Sequence, residues 1–311
     1  MNRAERSIAA AATHTDSTWR PADADAHTPA NPPQSTFRLG GTLTVPRLGF
    51  GAMQLPGRWG GPASDRATAV AVVARLAVEL GACHIDTAAF YFTGDNRAND
   101  ILRTALHPYP ADLSIATKVG PMRLPSGKMH GEAGPAQLRT EVKRNLTELG
   151  LDILDLVYLR VFTSAPLGDR FAVLAELRDE GLIRHLGVSN VTSEQLAEAR
   201  SIAPVAAVQN RFGVLEQSDA ALVDECARAG IAFMPFFALG GGHSPLDDGD
   251  LLDVAERHGA TPFQVAIAWG LTRSPSIVQI PGTASLSHLR QNMEAARITL
   301  DQNDMALLTR R

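Results

Sequence analysis

Eight times between residue 37 and the C-terminus, a short β-branched or apolar run is followed by a polar loop and a helical pattern with apolar residues at i, i+3 and i+4. The strand-like runs are GFGAM, CHID, LSIATK, ILDLVYL, IRHLGVS, VAAVQ, IAFMPF and SIVQIP. LTVPRLG, just before the first, reads as part of an opening hairpin. Helices are predicted near 64–80, 95–106, 135–149, 169–180, 193–203, 217–229, 261–272 and 285–296, with Ser64 as an N-cap, Pro135 and Pro262 in first turns, and Gly81, Gly150, Gly181 and Gly230 just past C-terminal ends. Strict alternation implies parallel strands joined by right-handed crossovers. Eight units point to an α/β fold, a (β/α)8 TIM barrel with an N-terminal β-hairpin, over residues 37–311. An open doubly wound sheet would want a glycine-rich dinucleotide loop, and GFGAMQ lacks both the third glycine and the following helix.

Residues 1–36 are rich in Ala, Thr, Asp and Pro and nearly devoid of large apolar side chains, so a disordered N-terminal extension is expected there. The run SIAAAA is too short and weakly apolar for a signal-peptide core, and the acidic residues argue against a transit peptide. A net charge of -4 offers no electrostatic reason to expect nucleic acid or an anionic membrane as partner. Apolar runs stop far short of the roughly 20 residues a membrane helix needs. The two cysteines, Cys83 and Cys226, have neither metal-ligand nor disulfide spacing; no metal is expected, and a reducing cytoplasm fits best.

In a barrel of this kind the active site lies at the C-terminal ends of the strands. Strand two ends in Asp86, strand three in Lys118 and strand four in Arg160; strand five ends in Ser189 and Asn190, strand six in Gln209 and Asn210. An Asp and a Lys on neighbouring strand ends are within pairing reach, and Tyr91 lies in the loop just beyond Asp86. A cation beside a phenol favours its ionised form, which suits proton transfer during carbonyl reduction. Arg160 has two readings, a side chain leaving the core to pair with an acid at the rim, or a charge aimed into the site.

These residues resemble the aldo-keto reductase family, and the resemblance covers nearly everything from Phe37 onward. It rests on GFGAM after the hairpin, HIDTAAFY, ATKVG, GLIRHLGVSN, VQN and IPGT, each at a predicted strand end. The resemblance implies hydride transfer between a nicotinamide cofactor, usually NADPH, and a carbonyl or alcohol. It makes Tyr91 the general acid, Lys118 its tuner and Asp86 the residue that holds Lys118. Gly51, Ala52, Met53 and Asp86 would border the cofactor. Ser189, Asn190 and Gln209 would bond its carboxamide, Phe236 would stack on the nicotinamide, and Leu239, Gly240 and Gly241 would follow the pyrophosphate. At the adenine end this chain has Gly282, Thr283, His288, Gln291 and Asn292, with Arg290 beside them, where many members have a lysine, a serine and an arginine. NADH therefore stays open beside NADPH.

The pattern is closest to bacterial members that read NLR on strand four and PFFPLGG on strand seven, a group that includes a pyridoxal reductase; here the text is YLR and PFFALGG. Pyridoxal-like aromatic aldehydes are the first substrate class this suggests, with a specialised metabolite as an alternative. Most of the family has a histidine where this chain has Arg160, which cannot relay a proton but offers several donors in a fixed fork. It would stabilise oxyanion charge or bind an anionic group on the substrate. Arg311 follows soon after the eighth helix, so substrate choice is expected to rest on the loops after strands one and three, with Trp59, Phe92 and Phe162 as pocket walls. A cofactor-binding sensor barrel with weak or no catalysis is the alternative function.

Overall fold

A computed structural model of the chain describes residues 36–58, 61–80, 83–242 and 246–309. Apart from Thr36, the extension expected at 1–36 lies outside the described residues, as do Trp59 and Gly81. Thr36 itself opens the hairpin of β1 (Thr36–Leu39) and β2 (Leu43–Pro46). Gly40 and Gly41 turn it with φ of 56° and 75°, values that L side chains rarely adopt. A Cβ on Gly40 would also lie 2.3 Å from the ring of His185, whose Nε2 is 2.9 Å from Thr42 Oγ1. The hairpin tip is thereby docked on the barrel.

Seven strands form one parallel sheet in sequence order: β3 (Phe50–Gly51), β4 (His84–Asp86), β7 (Ser114–Val119), β10 (Leu154–Arg160), β11 (Ile183–Ser189), β12 (Val205–Gln209) and β13 (Ala232–Phe233). Residues 277–279 supply the eighth. Ile277 bridges to Phe233 on one side and Gln279 to Leu48 on the other, both parallel. Hydrogen bonds from Gly49 N to Gln279 O and from Val278 N to Phe233 O close the seam at 2.8 and 2.9 Å. Arg47, 5% exposed, clamps it further by donating to the carbonyls of Ile277, Leu271 and Ser274. The expected (β/α)8 barrel is thus closed.

Because side chains alternate across a strand, one face of each strand fills the barrel and the other packs on helices. Inside, Ala116, Leu156, Tyr158, Ala207, Met234 and Val278 form one apolar cluster with Leu39 and Val45 of the hairpin, which plugs the floor. Gly187 makes room there, since a Cβ would lie 2.5 Å from the Tyr158 ring. Outside, a larger cluster joins the strands to helices such as Pro135–Leu149 and Gly168–Asp179 through Leu138, Val142, Phe171 and Leu174.

Helix punctuation follows the sequence at several places. Pro135 and Pro262 occupy first-turn positions, and Gly150 and Gly230 end helices with left-handed φ of 69° and 66°. Three starts differ. The helix expected from Ser64 begins at Arg66, where Asp65 accepts from Thr68 N at 2.7 Å, while the Ser64 hydroxyl donates to Leu55 O. The one expected from 95 begins at Ala98, because Phe92–Thr93 (β5) and Asn96–Arg97 (β6) pair as a hairpin. The one expected from 217 begins at Ala220. A second loop hairpin, Pro121–Arg123 (β8) with Met129–Glu132 (β9), and two helices, Gly249–Arg257 and Gln302–Thr309, lie outside the eightfold repeat.

Candidate active site

The strand ends bring Asp86, Lys118, Arg160, Ser189 and Gln209 to one mouth. On β10, Leu156, Tyr158 and Arg160 share the inward face, and the register sets Tyr158 beside Lys118 and Arg160 beside Ser189. Lys118 Nζ lies 2.5 Å from Asp86 Oδ1 and donates to Thr87 O at 3.1 Å, with the two charged side chains 1% and 5% exposed. Gln209 Nε2 donates to Asp86 Oδ2 at 2.9 Å, so both carboxylate oxygens are engaged. The ammonium also lies 4.9 Å from the centre of the Tyr91 ring.

Two cavities meet here. A cleft runs between strands one, seven and eight and is lined by Gly51, Met53, Asp86, Tyr91, Gln209, Phe236, Leu239, Gly241 and Gly282, with Phe237 and Pro281 among their neighbours. A second cavity is walled by Met53, Phe90, Tyr91, Met129, Arg160, Phe162, Phe236 and Phe237. Tyr91 borders both. Tyr158, by contrast, is fully buried below, donates to Met234 Sδ at 2.8 Å, and is held in its neutral form by burial and by the charge of Asp86. Of these two tyrosines, only Tyr91 borders a cavity.

Arg160 points into the site. Its Nη1 donates to Ser189 Oγ at 3.0 Å, and its guanidinium carbon lies 4.5 Å over the Phe236 ring and 5.9 Å from that of Phe162. Burial lowers its pKa, while the charges of Tyr91 and Asp86 act in the opposite direction. Among the described residues no carboxylate pairs with it, which corrects the rim-pairing alternative.

The loops are held by long-range contacts. Arg123 Nη1 donates to the carbonyls of Phe90 and Phe92, at 3.0 and 2.6 Å, gripping the chain on either side of Tyr91. Glu132 accepts from Phe162 N with one oxygen and from Arg170 with the other, tying the second hairpin to the loop after strand four.

Other expected site residues fall elsewhere. The Ala52 side chain is buried in the core rather than in the cleft wall. Asn190, at φ 61°, donates its amide to Val161 O at 2.9 Å, and Asn210 clamps Val191 and Asp219. Phe92 lines a separate cavity with Arg123 and Glu141, not the pocket beside Arg160. Thr283, His288, Gln291 and Asn292 lie outside the cleft wall. Thr283 Oγ1 accepts from Ser285 N at 3.0 Å, and His288 and Gln291 are exposed on the helix Leu286–Glu294, with Asn292 6% exposed beside them. Phe90, Met129 and Phe237 are pocket walls that the sequence reading missed; Phe90 and Phe237 adjoin singled-out residues, and that adjacency was the available signal.

A dinucleotide fits this cleft on two counts. Gln209 Oε1 is fully buried without a hydrogen-bond partner, an acceptor that an amide N–H would satisfy. Gly51, Gly241 and Gly282 line the cleft without side chains, which lets backbone N–H groups approach an anionic ligand.

The sequence model of the Aldo/keto reductase family matches residues 47–310. The chain belongs to that family. It is 47% identical over 283 residues to a pyridoxine 4-dehydrogenase of Escherichia coli, an alignment covering 88% of this chain and 97% of that one. An uncharacterized oxidoreductase of Schizosaccharomyces pombe is 37% identical over 272 residues, 86% and 87% of the two chains. Among solved structures, an aldo-keto reductase from Klebsiella pneumoniae in complex with NADPH superposes with a TM-score of 0.75 at 27% identity, over 89% of this chain and 94% of that one. Among the described residues no helix is long and apolar enough to cross a membrane, and no cluster of side chains could hold a metal ion.

Proposed function

We propose that this aldo/keto reductase is an NADP-dependent carbonyl reductase acting on aldehydes or ketones, pyridoxal-like aromatic aldehydes foremost, with Tyr91 as the general acid. The observation that carries the reading is the buried Asp86–Lys118 pair under the Tyr91 ring, where the two cavities meet. When bound, the reduced nicotinamide supplies a hydride to the carbonyl carbon. The Tyr91 phenol gives its proton to the carbonyl oxygen, and the Lys118 ammonium stabilises the negative charge left on the phenol oxygen. Asp86, fixed by Gln209, keeps that ammonium in place.

For the cofactor, Gln209 and Ser189 would hold the carboxamide, with Asn190 Oδ1 beside them, and Phe236 would face the ring. Gly51, Met53, Leu239, Gly241 and Gly282 would border its length. Thr283, His288, Gln291 and Asn292 would serve the adenosine end, where the exposed Arg290 stands between His288 and Gln291 in sequence. The aromatic lining of the second cavity supports a planar substrate, as does the likeness to a pyridoxine 4-dehydrogenase. The test is loss of reduced-cofactor absorbance with NADPH and NADH against an aldehyde panel that includes pyridoxal. Oxidation of NADPH by pyridoxal supports the reading; tight cofactor binding without turnover of any aldehyde rejects it in favour of a sensor barrel.

A further inference from the structure

Arg160 is a permanent cation that no described carboxylate neutralises, set in a wall that is apolar apart from Tyr91. Among the described residues, Tyr91 and Arg160 are the only polar side chains lining that cavity, beside Met53, Phe90, Met129, Phe162, Phe236 and Phe237. One guanidinium N–H goes to Ser189 Oγ, and the guanidinium carbon lies 4.5 Å from the centre of the Phe236 ring and 5.9 Å from that of Phe162. A guanidinium has five N–H donors, so a fork of them remains for a ligand. A desolvated cation of this kind is stabilised by an anion that arrives with the substrate. Arg160 lies two residues further along β10 than Tyr158, the residue that faces Lys118, so it sits nearer the mouth than the ammonium. Tyr91 and Arg160 wall the same cavity and interact electrostatically, so the phenol and the guanidinium can serve one edge of one ring.

We propose that Arg160 selects aromatic aldehydes carrying an anionic oxygen on the ring carbon next to the one that bears the aldehyde. The guanidinium fork takes that oxygen while Tyr91 serves the carbonyl oxygen, so recognition and protonation are divided between two residues of one wall. The inference rests on the reductase reading and deepens it, since it names the feature of the substrate that the site reads. A neutral ether in the same position fills the space but leaves the cation uncompensated. The same oxygen placed across the ring is out of the fork's reach.

The experiment compares kcat/KM for 2-hydroxybenzaldehyde and 2-methoxybenzaldehyde, for the same pair bearing a 5-nitro group that ionises the phenol near neutrality, and for the 4-hydroxy and 4-methoxy isomers. In the native enzyme the 2-hydroxy member is expected to lead its ether by roughly 10- to 100-fold, the range of a charge-assisted hydrogen bond to a desolvated group. The lead widens for the nitro pair and vanishes for the 4-substituted pair. Arg160→Met is expected to erase the 2-hydroxy preference, and Arg160→Lys to keep part of it, having charge without the fork. Equal kcat/KM for the 2-hydroxy and 2-methoxy compounds in the native enzyme overturns the proposal, and needs no variant to fold. A preference that survives in Arg160→Met overturns it as well. Failure to reduce any aldehyde is a different outcome: it overturns the reductase reading and the proposal with it.

Discussion

Breaking the Asp86–Lys118 pair one partner at a time tests whether the site is built around two charges held out of water. The groups are 2.5 Å apart, with side chains 5% and 1% exposed. Lys118→Met leaves a buried carboxylate held only by Gln209 Nε2, and Asp86→Asn leaves a buried ammonium held by an amide and the Thr87 carbonyl. Each single change should cost about 3–5 kcal/mol, because the survivor stays desolvated and uncompensated. The double variant buries no charge and loses only polar contacts, so its cost should be about 2 kcal/mol, well below the summed single costs. Urea unfolding followed by circular dichroism and tryptophan fluorescence measures all four corners of the cycle. Costs that simply add, or a Lys118→Met cost below about 1 kcal/mol, would refute the reasoning.

Three further outcomes are expected. Burial holds the His84 imidazole at a pKa of about 4 against an ordinary 6.5, so the unfolded chain takes up its proton first as pH falls. Stability should be intact above pH 6.5 and decline toward pH 4 by about 3 kcal/mol from this group, a slope that His84→Asn flattens in urea midpoints taken across that range. Gly282→Ala places a Cβ 2.3 Å from Gly51 O at the seam and should cost about 1–3 kcal/mol, whereas Gly249→Ala, with nothing within 4 Å, should be neutral or slightly stabilising by the same assay. Arg123→Met releases the carbonyls on either side of Tyr91 and should lower kcat about tenfold or more through misplacement of the phenol, with NADPH affinity unchanged by fluorescence titration.

The barrel was legible because its strands repeat at a regular spacing and the polar residue ending each buried run stands out against the apolar text. Asp86, Lys118 and Gln209 converge for that reason, and Tyr91 follows from its nearness to Asp86 in the chain. The pocket walls were less legible. Whether Phe92 or Phe90 faces the cavity depends on where Arg123, more than 30 residues away, grips the loop. Met129 reaches the pocket on a hairpin tied down through Glu132 and Arg170, a pairing that no local pattern announces. The helix start near residue 95 moved for the same kind of reason, since Gly94, at φ 57°, turns a short hairpin that periodicity does not reveal. At strand one, Ala52 opens a 3-10 turn, Ala52–Gln54, immediately after Gly51, and that turn buries its side chain in the core.

The most direct test of the account is the rate of NADPH oxidation by an aromatic aldehyde in Tyr91→Phe. The ring, its packing on Phe90 and its place over Lys118 all survive that change; only the hydroxyl that carries the proton is removed. Turnover should fall by about 100- to 10,000-fold while NADPH binds as tightly as before. A rate within a few-fold of the native enzyme would contradict the assignment of Tyr91 as the acid, and with it the mechanism proposed for this site.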